Sequence, residues 1–220
     1  MINHRTKAFI FDLNGTMIDD MAFHNQAWHN ILTTDLGAKI SFEAVKKEMY
    51  GKNQDLLERV FGVGHFSQDQ IDQISIEKER RYQSAYKKHL TLIPGLAPFL
   101  DKAKQAGILM AIGSAAIPFN INFVLDNLNI RPYFDAIVSA EDVTHSKPDP
   151  ETFSKGANIL AVAPEDCIVF EDAPKGVEAA LNAGMKCVVL TTMHTENEFN
   201  YPNIIAFIKD YNDPVLNNLF

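Results

Sequence analysis

The stretch Lys7-Ala8-Phe9-Ile10-Phe11-Asp12-Leu13-Asn14-Gly15-Thr16 is a short apolar run that ends abruptly in polar residues and an Asn-Gly pair. Apolar residues in succession, without polar alternation, predict a strand covered on both faces, as in a parallel sheet. Four runs of the same kind come much later in the chain: Ile108–Ile112, Ala136–Val138, Cys167–Phe170 and Cys187–Leu190. Helical patterns separate them. One opens at Pro94-Gly95-Leu96 and stops at Gly107, and a second covers Phe119–Leu128. A third begins at Asp149-Pro150, with Asp149 as its N-cap, and a fourth runs from Pro174 to Gly184. Strand alternating with helix over short links implies an α/β fold with a doubly wound, mainly parallel sheet.

Residues 20–90 break that rhythm. They hold no convincing strand and carry helical patterns at Phe23–Leu32, Phe42–Met49 and Asp69–Lys88. The run Glu77-Lys78-Glu79-Arg80-Arg81 reads as the solvated face of the last of these. The expected organisation is a sheet domain of residues 1–19 and 91–220 with a helical domain, 20–90, inserted after the first strand. Phe119, Phe123 and Trp28 read as packing residues. A hydrophobic fraction of 46% and a charged fraction of 22% are those of a globular chain. Mean hydropathy is -0.10 and no apolar stretch has spanning length, so no transmembrane helix is expected. The leader Met1-Ile2-Asn3-His4-Arg5-Thr6-Lys7 precedes an apolar run too short for the core of a secretory signal. A net charge of -8 argues against a nucleic-acid or anionic-membrane partner. Cys167 and Cys187, the only two cysteines, each begin an apolar run and read as buried thiols. Without a disulfide framework the expected compartment is the cytoplasm.

In an open α/β sheet, ligands sit beyond the carboxyl ends of the strands, near the point where strand order reverses. The first strand is followed by Asp12-Leu13-Asn14-Gly15-Thr16 and the second by Ser114-Ala115-Ala116. Ser146-Lys147-Pro148-Asp149-Pro150 stands before the third helix, and Glu171-Asp172-Ala173-Pro174 ends the fourth strand. One rim thus gathers a carboxylate able to act as nucleophile, a hydroxyl, a lysine and an acidic pair. These are the parts of phosphoryl transfer. A carboxylate can attack phosphorus to form an acyl phosphate, and a hard cation offsets its repulsion from the anionic substrate. A lysine and hydroxyl or backbone N–H donors stabilise the transferring group. Singly, each has a structural reading: Asn14-Gly15 as a turn, Lys147 as a surface lysine, Glu171-Asp172 as acidic residues opening a helix, His24 and Trp28 as a half-buried pair. The other histidines, His4, His29, His65, His89, His145 and His194, show no metal-ligand spacing.

Together, Asp12-x-Asn14-Gly15-Thr16, Ser114, Lys147-Pro148 and Glu171-Asp172 resemble the four-motif series of the haloacid dehalogenase superfamily. Ser146-Lys147-Pro148-Asp149-Pro150 and Phe170-Glu171-Asp172-Ala173-Pro174-x-Gly176 resemble its β-phosphoglucomutase-like phosphatase branch in particular. The resemblance implies a Rossmann-like core with a helical cap, and a Mg²⁺-dependent phosphatase acting on a small phosphorylated metabolite. It implies Asp12 as nucleophile and metal ligand, the backbone carbonyl of Asn14 and Asp172 as further metal ligands, and Glu171 beside them as a direct or indirect contributor. Ser114, Ala115 and Lys147 would bind the phosphoryl group, and Thr16 would fix the first loop. The oligomeric expectation is a monomer or weak dimer.

Asn14 departs from the family, which has an aspartate there as acid and then base. An amide can do neither, so slowed or altered turnover is expected, with His24 as the nearest replacement base. The branch's mutases grip a second phosphate with a cap arginine, whose place falls on Gln54. After Ser114 come Ala115, Ala116, Ile117 and Pro118, which offer no second grip. Lys52 and Asn53 remain candidates for touching a small polar substrate. The alternatives kept open are phosphoglucomutase-type transfer and a non-catalytic member that binds a phosphorylated ligand or a protein.

Overall fold

The computed structural model describes residues 6–220; Met1–Arg5, with His4, lie outside the described residues. The sheet has six strands, all parallel, in the order β3-β2-β1-β4-β5-β6. They are β1 (Ala8–Phe11), β2 (Leu109–Gly113), β3 (Ala136–Val138), β4 (Cys167–Glu171), β5 (Lys186–Leu190) and β6 (Ile204–Ile208). The chain leaves β1 toward β2 and β3 on one side and returns to β4 on the other, so the order reverses between β1 and β4. Phe11 pairs with Ile112 and with Phe170, which brings Asp12 and Glu171 to the same carboxyl edge.

The lack of polar alternation in β1 has the physical cause expected of it. Ala8 and Ile10 point into a layer with Ala111, Phe153, Val169 and Val177. Phe9 and Phe11 point the other way, into an aromatic layer with Phe99, Phe170 and Tyr211, where Phe11 and Phe170 stack at 4.7 Å between centroids. Strand β6 was not anticipated. It is an edge strand, half exposed, that follows Pro202-Asn203, and its register slips against Cys187/Val188. Both cysteines are buried and free.

The chain divides into two compact units, the described residues up to Asp19 with Thr91–Phe220, and Asp20–Leu90. The second is all helix: α1 (Met21–Asn30), running on into a wider turn at Ile31–Asp35, α2 (Phe42–Lys47), α3 (Asn53–Phe61) and α4 (Gln68–Tyr86). Helix α3 falls between the helical patterns read from the sequence and begins at Asn53, one of the substrate candidates. Trp28, Leu32, Val45, Leu56, Leu57 and Ile71 form its apolar core. The first unit adds α5 (Leu96–Gln105), α6 (Pro118–Asn127), α7 (Glu151–Leu160) and α8 (Pro174–Asn182). Asp149 accepts the Glu151 N–H at 2.9 Å, although Pro150 occupies the N-cap position. Phe119, read as a packing residue, stands largely exposed in the first turn of α6. No helix among the described residues is long and apolar enough to cross a membrane.

The solvated-face reading of Glu77–Arg81 is corrected at two positions. Ser75, Lys78, Glu79, Tyr82 and Tyr86 lie at helical spacing on one stripe of α4, and all are buried. Lys78 donates to Glu79 Oε1 at 2.7 Å and to His24 Nδ1 at 2.9 Å, and its ammonium lies 5.4 Å from the Trp28 ring. An ammonium can only donate, so Nδ1 accepts and Nε2 carries the hydrogen that faces Asp20, 3.2 Å away. The His24 ring stacks on Tyr82 at 3.7 Å, and the Tyr82 hydroxyl donates to Asp20. The charges of Lys78 and Glu79 are tolerated here because the two pair with each other.

Burial alone would raise the Glu79 carboxyl, but the charge and hydrogen bond of Lys78, with Asn53, hold it below the ordinary range. A depressed folded value contributes stability above the ordinary glutamate pKa of about 4.3, which is lost as the pH falls through the folded value. Glu79→Gln leaves Lys78 buried without its carboxylate and is expected to destabilise the helical unit by about 3–5 kcal/mol at neutral pH. Urea denaturation followed by Trp28 fluorescence checks this; an unchanged midpoint would contradict it.

Candidate active site

Asp12 follows β1, and its N–H is fixed by the Phe170 carbonyl at 2.9 Å. Lys147 reaches it from the loop before α7, its Nζ lying 2.6 Å from Asp12 Oδ1 and 2.8 Å from Glu171 Oε1. All three side chains are buried. Burial opposes the lysine's charge, but the two carboxylates, by charge and by hydrogen bond, raise its pKa above the ordinary range. It is therefore an ammonium throughout the neutral range.

Glu171 has its other oxygen in use as well, accepting the N–H groups of Asp172 and Ala173 at 2.8 Å each. A side chain at residue 176 would collide with this carboxylate, so Gly176 is required by close approach. Asp172 is buried beside it and accepts from the Thr16 hydroxyl at 3.1 Å. Burial, then the charges of Glu171 and Asp12, push its carboxyl well above the usual carboxylate range. Gly15 has φ +77 and faces Asp172 so closely that any β-carbon would strike the carboxylate, two independent reasons for glycine.

The first loop is a closed turn: Gly15 N–H donates to the Ile18 carbonyl at 2.8 Å, and Met17 N–H to Leu13 at 2.9 Å. Ser114 lies at the end of β2, where its N–H meets the Val138 carbonyl and its hydroxyl accepts from Ala116 N–H at 3.1 Å. Ala115 follows it, half-buried. Among the described residues, the rim sets three carboxylates, Asp12, Glu171 and Asp172, beside the ammonium of Lys147. This excess of hard oxygen donors fits a divalent cation of the Mg²⁺ type. Asp12, Asp172 and the Asn14 carbonyl are the groups that could hold it.

His24 lies in the helical unit with Nδ1 against Lys78 and Nε2 against Asp20. Asn53 donates to Glu79 at 3.3 Å, the Lys52 N–H is taken by Asp55 at 2.8 Å, and Gln54 donates to Glu58. His145, Asp149 and Glu151 bring ligand-type atoms within 4.8 Å of one another, which their spacing did not suggest. Glu151 is already committed there to the N–H groups of Thr144 and His145. Sequence reading missed Thr192 and Tyr211, whose hydroxyls meet carbonyls of the first loop. No motif marks either residue.

A family model for haloacid dehalogenase-like hydrolases matches residues 6–184. The chain is 32% identical over 187 residues to fructose-1-phosphate phosphatase YqaB of Escherichia coli, covering 84% of this chain and 96% of that one. It is 32% identical over 191 residues to the β-phosphoglucomutase of Bacillus subtilis, covering 83% and 82%. The fold superposes with a TM-score of 0.85 on a family IA hydrolase from Entamoeba histolytica at 24% identity, covering 97% of each chain. The match spans the loops that carry Asp12, Ser114, Lys147 and Asp172, and the chain belongs to the haloacid dehalogenase-like hydrolases, in their β-phosphoglucomutase-like phosphatase branch.

Proposed function

We propose that this chain is a Mg²⁺-dependent phosphatase of small phosphorylated sugars or polyols that works through an aspartyl phosphate on Asp12 and is slowed by Asn14. The observation that carries the reading is Lys147, buried and clamped between Asp12 and Glu171. That clamp sets a positive charge against Asp12 and aims it from the strand end. One Asp12 oxygen attacks phosphorus, the bond to the substrate's ester oxygen breaks, and the acyl phosphate forms. Lys147 and the donors around Ser114 and Ala115 offset the charge of the transferring group. Asp12, Asp172 and the Asn14 carbonyl would hold Mg²⁺, which when bound would supply positive charge between the anionic ester and the anionic nucleophile. Water then cleaves the acyl phosphate, releasing phosphate and restoring Asp12.

Asn14 stands where a proton donor to the leaving oxygen and an acceptor from that water would be needed. An amide performs neither transfer, so both steps rely on solvent. The sugar-phosphate class is supported by the likeness to fructose-1-phosphate phosphatase. The apolar Ala115-Ala116-Ile117-Pro118 segment and the pairing of Gln54 with Glu58 favour a substrate with one phosphate over a bisphosphate. The test is Mg²⁺-dependent phosphate release from a panel of hexose and hexitol monophosphates, comparing the parent with Asp12→Ala. Slow release by the parent and none by Asp12→Ala is expected. Equal release by both would remove Asp12 from the chemistry.

A further inference from the structure

We propose that Thr192 and Tyr211 are positioning residues that hold the Asp12–Thr16 loop in its working shape; their effect on turnover rests on the phosphatase reading above. The Thr192 hydroxyl donates to the Gly15 carbonyl at 2.6 Å, and the Tyr211 hydroxyl donates to the Thr16 carbonyl at 3.0 Å. These are consecutive peptide groups of one turn, each tied by a side chain from outside the four motifs. Both residues also lie beyond residue 184, where the family match ends.

Each tether is itself anchored. Thr192 follows Thr191, whose N–H is held by the Ile208 carbonyl at 2.9 Å, so strand β6 fixes its place. The Tyr211 N–H donates to the Pro94 carbonyl at 2.9 Å, and its ring lies against Phe99 at 5.4 Å and Phe170 at 5.7 Å. A side chain at Gly95 would meet the backbone of Tyr211 and Asn212 at 2.6 Å, so the approach is as close as a glycine permits. Burial and the charges of Asp12 and Asp172 keep the Tyr211 phenol a neutral donor. The orientation of the Gly15 and Thr16 peptides in turn sets the Asn14 carbonyl and the Thr16 hydroxyl that meets Asp172.

The Asn14-Gly15 pair offers a readout that needs no catalysis. In deamidation the Gly15 nitrogen attacks the Asn14 side-chain carbon, a ring C–N bond forms and ammonia leaves. Water then opens the succinimide to aspartate or isoaspartate. In the closed turn the Gly15 N–H is bound to Ile18, so this attack waits for the turn to open.

The experiment follows Asn14 by peptide mass spectrometry during incubation of the parent, Tyr211→Phe, Thr192→Val and Thr192→Ser, with thermal melting in parallel. Tyr211→Phe keeps the ring and Thr192→Val keeps the shape, so each removes one hydrogen bond. Deamidation is expected to rise about 2- to 12-fold in each, the population ratio for one net hydrogen bond. Thr192→Ser and Leu160→Ala, a destabilised control that retains both hydroxyls, are expected at the parent rate. In the Asn14→Asp enzyme the same two hydroxyl deletions lower kcat by a similar factor with KM unchanged. Parent-like deamidation in Tyr211→Phe and Thr192→Val, or equal acceleration in Leu160→Ala, overturns the proposal. Absence of phosphate release from every form counts against the phosphatase reading instead, and the deamidation rates still decide the tethering.

Discussion

Asn14→Asp is expected to raise Mg²⁺-dependent phosphate release by about 10²–10⁴-fold, the range of a positioned acid–base group, or roughly 3–5 kcal/mol of barrier. The change is nearly isosteric, and the turn that presents residue 14 is closed by backbone bonds from Gly15 to Ile18 and from Met17 to Leu13. Neither bond involves the amide side chain. The Asp12–Lys147–Glu171 clamp also lies outside the substitution. The gain should therefore appear in kcat more than in KM. It should be larger for a sugar phosphate, whose leaving oxygen needs a proton, than for acetyl phosphate, whose leaving group does not. Steady-state release from the two substrates checks this, and an absent gain on both would contradict the assignment of residue 14.

Lys147→Met is expected to lower turnover by about 10²–10³-fold, the scale of one lost transition-state donor. Its second effect is on metal binding. Without the ammonium, Asp12, Glu171 and Asp172 face one another in a buried site with no counter-charge. The variant should melt lower than the parent when Mg²⁺ is absent, because a buried pair has lost one partner. It should recover more stability than the parent when Mg²⁺ is added, since a ligand that binds only the folded state stabilises it by mass action. Thermal melts across a Mg²⁺ titration measure both. A variant that melts as the parent does at every Mg²⁺ concentration would show that the lysine is not the site's resident cation.

Much of the fold could be read from sequence because burial on both faces removes polar alternation. Strands β1, β2, β4 and β5 are continuous apolar runs for that reason. Strand β6 escaped because an edge strand with exposed Ile205 looks like a loop after Pro202. The charged run of α4 misled because adjacent charges suggest solvent, whereas Lys78 and Glu79 sit on the stripe of Ile71, Ser75, Tyr82 and Tyr86. Tracing that stripe through the charges would have found them. In the candidate site, Asp12, Ser114, Lys147 and Asp172 were legible because each stands at a strand end or immediately before a helix. Thr192 and Tyr211 were not, since contacts across 177 and 195 residues leave no local pattern.

In the proposed reaction Asp12 carries the phosphoryl group and Asn14 slows its release. It is tested most directly by intact and peptide mass spectrometry of the parent enzyme quenched in acid after mixing with Mg²⁺ and acetyl phosphate. One added phosphoryl group, located on Asp12, is expected to accumulate in the parent and to be much scarcer in Asn14→Asp, where water cleaves it faster. Turnover without any phosphoenzyme in the parent, or a phosphoryl group on another residue, would contradict it.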